Sequence, residues 1–267
     1  MTRVAGRPRV PALLSLLVAL VAVLLPGAPA DAAGGAIRPG VELVTDGAQC
    51  TANFIFTDRT GARFIGMSAH CASATDGTTP DGCRERSLPL GTEVRIDGAT
   101  RPGTLAYSSW STMRRVGERD RSTCLYNDFA LVRIDPADHR RVNPTVPVFG
   151  GPTGIAARSA AGDRVYSYGN SGLRPGDRLD AKRGRSYGTT ADGWATRVFT
   201  FTPGIPGDSG SGFLDAQGRA IGVLSSLSIF PGPGDNTITN LAKALEYMER
   251  HTALRVHMPD GWRPFRA

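Results

Sequence analysis

Histidine and cysteine are scarce in this chain of 267 residues, which has four of each. No Cys-x-x-Cys pair and no His-x-x-x-His spacing occurs, so the usual ligand patterns of a zinc site are missing, and we expect neither metal nor cofactor. Beyond residue 25 no apolar run approaches the roughly 18 to 20 residues that a membrane span needs, so no stable span is expected. Basic residues are not interleaved with aromatic ones, which argues against a nucleic-acid partner. No repeat of fixed period is present, and helical periodicity is missing until residue 238.

What is present begins with a compartment signal. Arg3, Arg7 and Arg9 precede an apolar run from Val10 to Leu25, followed by the small residues Ala28-Pro29-Ala30 and Ala30-Asp31-Ala32. This is the pattern of a secretory signal peptide, so residues 1–33 are read as signal and cleavage region of an extracellular protein. Cleavage lowers the formal charge of +7 to about +4 or +5, mostly scattered arginine. The densest basic cluster, Lys182, Arg183 and Arg185, reads as a solvated loop. Export places Cys50, Cys71, Cys83 and Cys124 in an oxidising compartment, where two disulfides are the default and the pairing stays open.

Segments rich in β-branched and aromatic residues recur at short intervals: 52–57, 63–68, 92–96, 129–134, 164–168, 195–202, 212–214 and 220–225. Turn formers such as Asp58-Arg59-Thr60-Gly61 and Asp215-Ala216-Gln217-Gly218 separate them. Many short strands with frequent turns predict an all-β sandwich or barrel. Near the end, Ile238, Leu241, Ala242, Leu245 and Met248 follow the spacing of an amphipathic helix, with Thr239 or Asn240 as N-cap. Between the halves, the Pro- and Gly-rich stretch Asn143 to Gly154 reads as a crossing linker.

The stretch PGIPGDSGSG, Pro203 to Gly212, sets a serine among turn formers. Such clusters are ordinarily surface loops, but a serine can also be a nucleophile if a base lies within hydrogen-bond reach and a third group orients that base. Histidine suits the base at ordinary pH. His139, His251 and His257 have polar or terminal surroundings, whereas His70, in GMSAHC, follows a strand-like run. Asp128, in NDFALVRI, opens an apolar run, where a carboxylate is costly unless hydrogen-bonded.

The motifs SAHC, NDFALV and GDSGSG, in the order His, Asp, Ser and separated by 58 and then 81 residues, resemble the chymotrypsin-like serine peptidases. AIRPGVELVTDGAQCTANFIF, YGNSGLRPG and AIGVLSS resemble further segments of the secreted bacterial members, so the likeness covers nearly the whole mature chain. It implies two six-stranded antiparallel β-barrels packed face to face, with a C-terminal α-helix. The implied division is 34–145 for the first barrel, 146–238 for the second, 239–252 for the helix and 253–267 for a tail. It also implies His70 as general base, Asp128 as its orienting acid and Ser209 as nucleophile. The amides of Gly207 and Ser209 would form the oxyanion hole. Ser225 would support the aspartate, and Ser225, Ser226 and Leu227 would offer an edge for an extended peptide. The match pairs Cys50 with Cys71, which leaves Cys83 for Cys124.

Specificity departs from the familiar forms. The pocket-floor position six residues before the nucleophile is Pro203, which removes any carboxylate for Arg or Lys, and no histidine lies between residues 140 and 250 to bind Glu. Leu227 stands where an open pocket has glycine, so a small or apolar side chain is expected. The resemblance implies a cation for Asp208, and Ser167 occupies the place of the family's arginine, so either Arg174 or an amine exposed before Ile37 supplies it or the oxyanion loop is not always formed. The expected activity is that of a monomeric serine endopeptidase acting on proteins or peptides. Its alternative is a weak or inactive peptidase-like binding protein. An α/β-hydrolase using Ser209, Asp235 and His251 is disfavoured, because Ser211 breaks the Gly-x-Ser-x-Gly elbow.

Overall fold

The computed structural model describes residues 1–2, 35–46, 48–75, 81–174, 176, 179–228 and 235–267, with the side chains of 227 and 228 excepted. The expected signal segment, apart from its first two residues, lies outside the described residues. Residues Gly35–Ala267 form one compact unit.

Seven short strands come first: β1 (Glu42–Thr45), β2 (Ala48–Thr51), β3 (Ile55–Asp58), β4 (Arg63–Met67), β5 (Glu93–Ile96), β6 (Gly103–Ser108) and β7 (Ala130–Arg133). Six more follow the linker: β8 (Ala161–Tyr168), β9 (Ala181–Thr190), β10 (Ala195–Thr200), β11 (Gly212–Leu214), β12 (Ala220–Ser228) and β13 (Asp235–Asn240). These last six close into an antiparallel barrel in the order β10-β13-β12-β11-β8-β9. Its interior is a cluster of Val165, Val198, Phe213, Ile221 and Ile238, among others.

The expectation of two six-stranded barrels fails for the first half, which is an open sheet of eight strands, ordered β14-β3-β4-β7-β6-β5-β1-β2. Two contacts account for the missing closure. The outer edge of β3 is taken by β14 (Val256–His257), a two-residue strand from the C-terminal tail. At the other edge, β2 ends at Thr51, whose amide donates to the Ser209 carbonyl at 2.8 Å rather than to β3. A paired edge has no free ladder groups left to close on.

The C-terminal helix, α3 (Leu241–His251), is capped by Asn240, whose side chain accepts from the Lys243 amide. It buries Leu241, Ala244, Tyr247 and Met248, a stripe rotated from the expected one; Ala242 and Leu245 are only half-buried. Two helices escape the periodicity reading: α1 (Ser109–Val116) and α2 (Arg121–Tyr126). Each is too short to show a repeat, and each is made by its ends. Ser108 caps α1 and Gly117 ends it in the left-handed region, while Asp120 caps α2. Among the described residues no helix is long and apolar enough to cross a membrane. Residues 143–154, between β7 and β8, contain no strand.

Candidate active site

His70 and Asp128 reach one place by different routes. Strand β4 ends at Met67, and a short 3-10 turn, Ala69–Ala72, carries His70. Two ties fix that turn: Ser68 Oγ donates to the Leu224 carbonyl at 2.7 Å, and Cys71 is bonded to Cys50 of β2. Asp128 stands between α2 and β7 and is 3% exposed. Its Oδ1 accepts from the His70 amide at 2.9 Å, and its Oδ2 lies 2.7 Å from His70 Nδ1. Ser225 Oγ donates to the same Oδ2 at 2.6 Å. These bonds supply what a buried carboxylate requires.

The pair is electrostatically coupled. Burial acts against the charged form of each group, but each holds the other ionised. Desolvation tends to lower the His70 pKa, yet the charge and hydrogen bond of Asp128 raise it above 6.5. Desolvation likewise tends to raise that of Asp128, and His70 and Ser225 outweigh it, leaving it below 3.8. Ser225 therefore serves as a further donor to the carboxylate.

Ser209 and Ser225 line one cavity of about 160 Å³, together with Ser226, Gly204, Ile205, Pro206, Leu224 and Asn236. Ser209 and His70 are tied to neighbouring positions of one strand. The Ser209 carbonyl accepts from Thr51, and Thr51 follows Cys50, the disulfide partner of the residue after His70. The Ser209 hydroxyl makes no hydrogen bond to His70 among the described residues; such contacts commonly tighten only with substrate bound. Pro203 does not line the cavity, and its carbonyl instead accepts from Arg174 Nη2 at 3.0 Å. Leu227 pairs with Asn236 through its backbone, and its side chain lies outside the described residues.

The Gly207–Gly210 segment has the shape that its glycines permit. Gly207 has φ +96°, and a Cβ there would stand 3.0 Å from Gln49 Oε1 and from Ser171 Oγ. At Gly210, with φ +90°, a Cβ would stand 2.5 Å from the Thr51 carbonyl. The amides of Asp208, Gly210 and Ser211 donate to the Ile205, Leu224 and Asp208 carbonyls. Those of Gly207 and Ser209 donate to no protein group among the described residues.

Asp208 is fully buried and answers the question of its cation. Arg174 forks onto it, Nη1 at 2.6 Å from Oδ1 and Nη2 on Oδ2, while Lys182 Nζ stands 3.3 Å from Oδ2. Ile37 is elsewhere, since its amide donates to the Arg141 carbonyl at 2.9 Å.

Several supporting residues carry no motif and were missed in the sequence. Thr51 Oγ1 donates to the Gly207 carbonyl at 2.7 Å and accepts from the Asn170 amide at 3.0 Å. Asn53 Nδ2 donates to the Gly210 carbonyl, and Thr239 Oγ1 accepts from the Asp128 amide. Trp110, on the unforeseen α1, packs its ring 6.4 Å from that of His70. For Thr51 and Thr239 the one hint was a hydroxyl in a buried strand position; Asn53 and Trp110 carried none.

Cys83 bonds to Cys124. Cys50, His70 and Cys71 cluster, as do Asp81, Cys83 and Cys124, but all four sulfurs are committed to disulfides, which removes the thiolates a metal would need. The remaining candidates are occupied: Asp235 pairs with Arg197 at 2.5 Å, and His251 packs on Tyr247 with ring centroids 4.3 Å apart.

A family model described as the trypsin-like peptidase domain matches residues 64–223, and the chain belongs to that family. The same fold recurs in solved structures. Protease A of Thermobifida fusca is 20% identical, with 84% of this chain and 99% of that one covered and a TM-score of 0.55. Cellulomonas bogoriensis chymotrypsin is 20% identical, covers 84% of this chain and 98% of its own, and scores 0.50. A glutamic-acid-specific serine protease, described as using a novel histidine triad in substrate binding, is 19% identical with 80% and 98% covered and a TM-score of 0.51. Comparison with curated proteins finds no match.

Proposed function

We propose that the chain is a secreted serine endopeptidase that cleaves protein or peptide substrates through an acyl-enzyme. Ser209 attacks the scissile carbonyl, His70 Nε2 takes its proton and later returns it to the leaving amine, and Asp128 holds the imidazole in the tautomer with Nδ1 protonated. The free amides of Gly207 and Ser209 are suited to meet the oxyanion. The observation that carries this reading is the chain of hydrogen bonds His70–Asp128–Ser225, whose Ser225 lines the same cavity as Ser209.

The same cavity favours a small, uncharged residue on the acyl side of the cleaved bond. Among the described residues its lining contains no charged side chain, so a Lys, Arg or Glu side chain would be desolvated without a partner. Asn236 is 1% exposed, and its amide is already engaged at both ends, accepting from the Gly204 amide at 2.8 Å and donating to the Gly204 carbonyl at 3.3 Å. A histidine-based recognition of glutamate, as in the relative named above, has no equivalent among the lining residues. Secretion is supported by the N-terminal pattern and by two disulfides, which persist in oxidising compartments.

The test is incubation of the purified secreted protein with a diverse peptide pool and, in parallel, with a fluorophosphonate probe. The expected result is cleavage after small neutral residues, labelling at Ser209, and loss of both in Ser209→Ala with the circular dichroism unchanged. A folded wild-type protein that neither cleaves nor labels would instead be a peptidase-like binding protein.

A further inference from the structure

We propose that Lys182 is a positioning residue of the nucleophile loop, a second fixed cation that holds Asp208 and so keeps the Gly207 and Ser209 amides aimed at the developing oxyanion. The inference rests on the peptidase reading above and adds a residue that neither the motifs nor that reading requires.

Lysine is almost never fully buried unless paired, yet Lys182 of β9 is 0% exposed. Among the described residues its Nζ makes no hydrogen bond, and the Asp208 carboxylate lies 3.3 Å away. The described charged groups facing it come from two other segments. The connection after β8 supplies Arg174 and Asp180, whose side chains are 6% and 8% exposed and 3.6 Å apart. The loop before β11 supplies Asp208, whose side chain is fully buried. Opposite Lys182 across the β8–β9 pair stands Ser167, whose buried hydroxyl has no hydrogen-bond partner among the described residues.

Asp208 is met by two cations, Arg174 on both carboxylate oxygens and Lys182 on Oδ2. Removing one partner of a buried ion pair leaves an uncompensated charge and is strongly destabilising, so the protonated lysine and the carboxylate each favour the other's charged form. Burial pulls the Lys182 pKa below 10.5 in spite of the attraction of Asp208, so the group is under tension between desolvation and pairing.

Asp208 transmits that balance to the catalytic loop. Its Oδ2 accepts from the Ile205 amide at 3.0 Å, and its own amide donates back to the Ile205 carbonyl at 2.9 Å. The carboxylate thus closes the turn Ile205–Asp208 on itself while Arg174 and Lys182 fix it from the barrel side. If the carboxylate turned toward solvent, this closure would open and the peptides on either side of Asp208 would be free to rotate.

The experiment compares wild type, Lys182→Met and Lys182→Arg by steady-state kinetics, fluorophosphonate labelling rate and thermal unfolding. Lys182→Met should lower kcat about 10- to 100-fold, less than the roughly 10² to 10³ of a fully lost oxyanion donor, with KM changed by a smaller factor because Lys182 does not itself line the substrate cavity. Labelling should slow in proportion, and Lys182→Arg should recover most of the loss by restoring the charge. In the wild type, kcat should also fall as pH rises toward 10.5 and Lys182 loses its proton, and this limb should be absent in Lys182→Arg; the profile is read whether or not Lys182→Met folds. A Lys182→Met protein within twofold of wild-type kcat, or an alkaline limb unchanged in Lys182→Arg, overturns the proposal. Failure of the wild type itself to label defeats the peptidase reading and is thereby distinguished from failure of this one.

Discussion

The open sheet and the closed barrel each bring part of the site, and they hold their parts by different means. In the open sheet, His70 and Asp128 sit at strand ends backed by apolar packing and pinned by two disulfides. In the barrel, Ser209 stands in a loop whose Asp208 joins Arg174, Lys182 and Asp180 in a buried charge cluster. Apolar packing tolerates changes of pH and salt, whereas a buried charge set is all or nothing with respect to each proton. His70 and Asp128 are therefore held mechanically, and on the reading proposed above the Gly207 and Ser209 amides are held electrostatically.

The contrast can be broken at several points. The largest effect is expected at Asp128→Asn, with kcat down about 10⁴-fold, the size documented for losing the orienting carboxylate of a Ser-His-Asp triad. Stopped assays with a chromogenic peptide would read it, and a variant keeping a tenth of the activity would show that the orienting acid lies elsewhere. The pH profile sharpens the same point. Only the neutral imidazole can accept a proton, and the His70 pKa lies above 6.5, so kcat/KM should rise with pH through a midpoint above 6.5. In Asp128→Asn the source of that upward shift is gone while desolvation remains, so the midpoint should move down.

On the barrel side, Gly207→Ala should lower kcat by about 10² to 10³, the effect of losing one oxyanion donor. A Cβ at φ +96° is strained and presses on Gln49 and Ser171, so the loop must shift; equal losses in kcat and kcat/KM would place the damage in the transition state. Removing the Cys83–Cys124 bond by a double serine substitution should instead reduce stability by about 2 to 4 kcal/mol, since its loop spans 41 residues. Calorimetry should find this loss with kcat of the surviving folded fraction nearly unchanged. The smallest change is expected at the seam, where Thr51→Val leaves the Gly207 carbonyl without its donor and should cost roughly 1 to 3 kcal/mol, read by denaturant unfolding. An unaltered unfolding midpoint would show that the seam is held by other bonds.

The unequal legibility of the two halves has the same origin. Strands β4, β7, β10 and β12 were visible because their β-branched runs lie between turn formers. The helices α1 and α2 were not, because one or two turns give no period and their existence depends on Ser108, Asp120 and Gly117 at the ends. The open first sheet could not be foreseen either. It depends on two residues of the tail reaching β3, and a two-residue strand has no sequence signature.

The residues proposed to bear the chemistry stand in the sequence as types in motifs, because a nucleophile, base and acid need particular functional groups and the flanking glycines need particular backbone angles. The order of those motifs and the four cysteines were likewise properties of the sequence itself. Which groups touch was decided only in three dimensions: Thr51 with Gly207, Ser225 with Asp128, and Lys182 with Asp208 are contacts across 156, 97 and 26 residues. A hydrogen bond or ion pair depends on separation in space to within about half an ångström, and the position of a residue along the chain does not encode that distance.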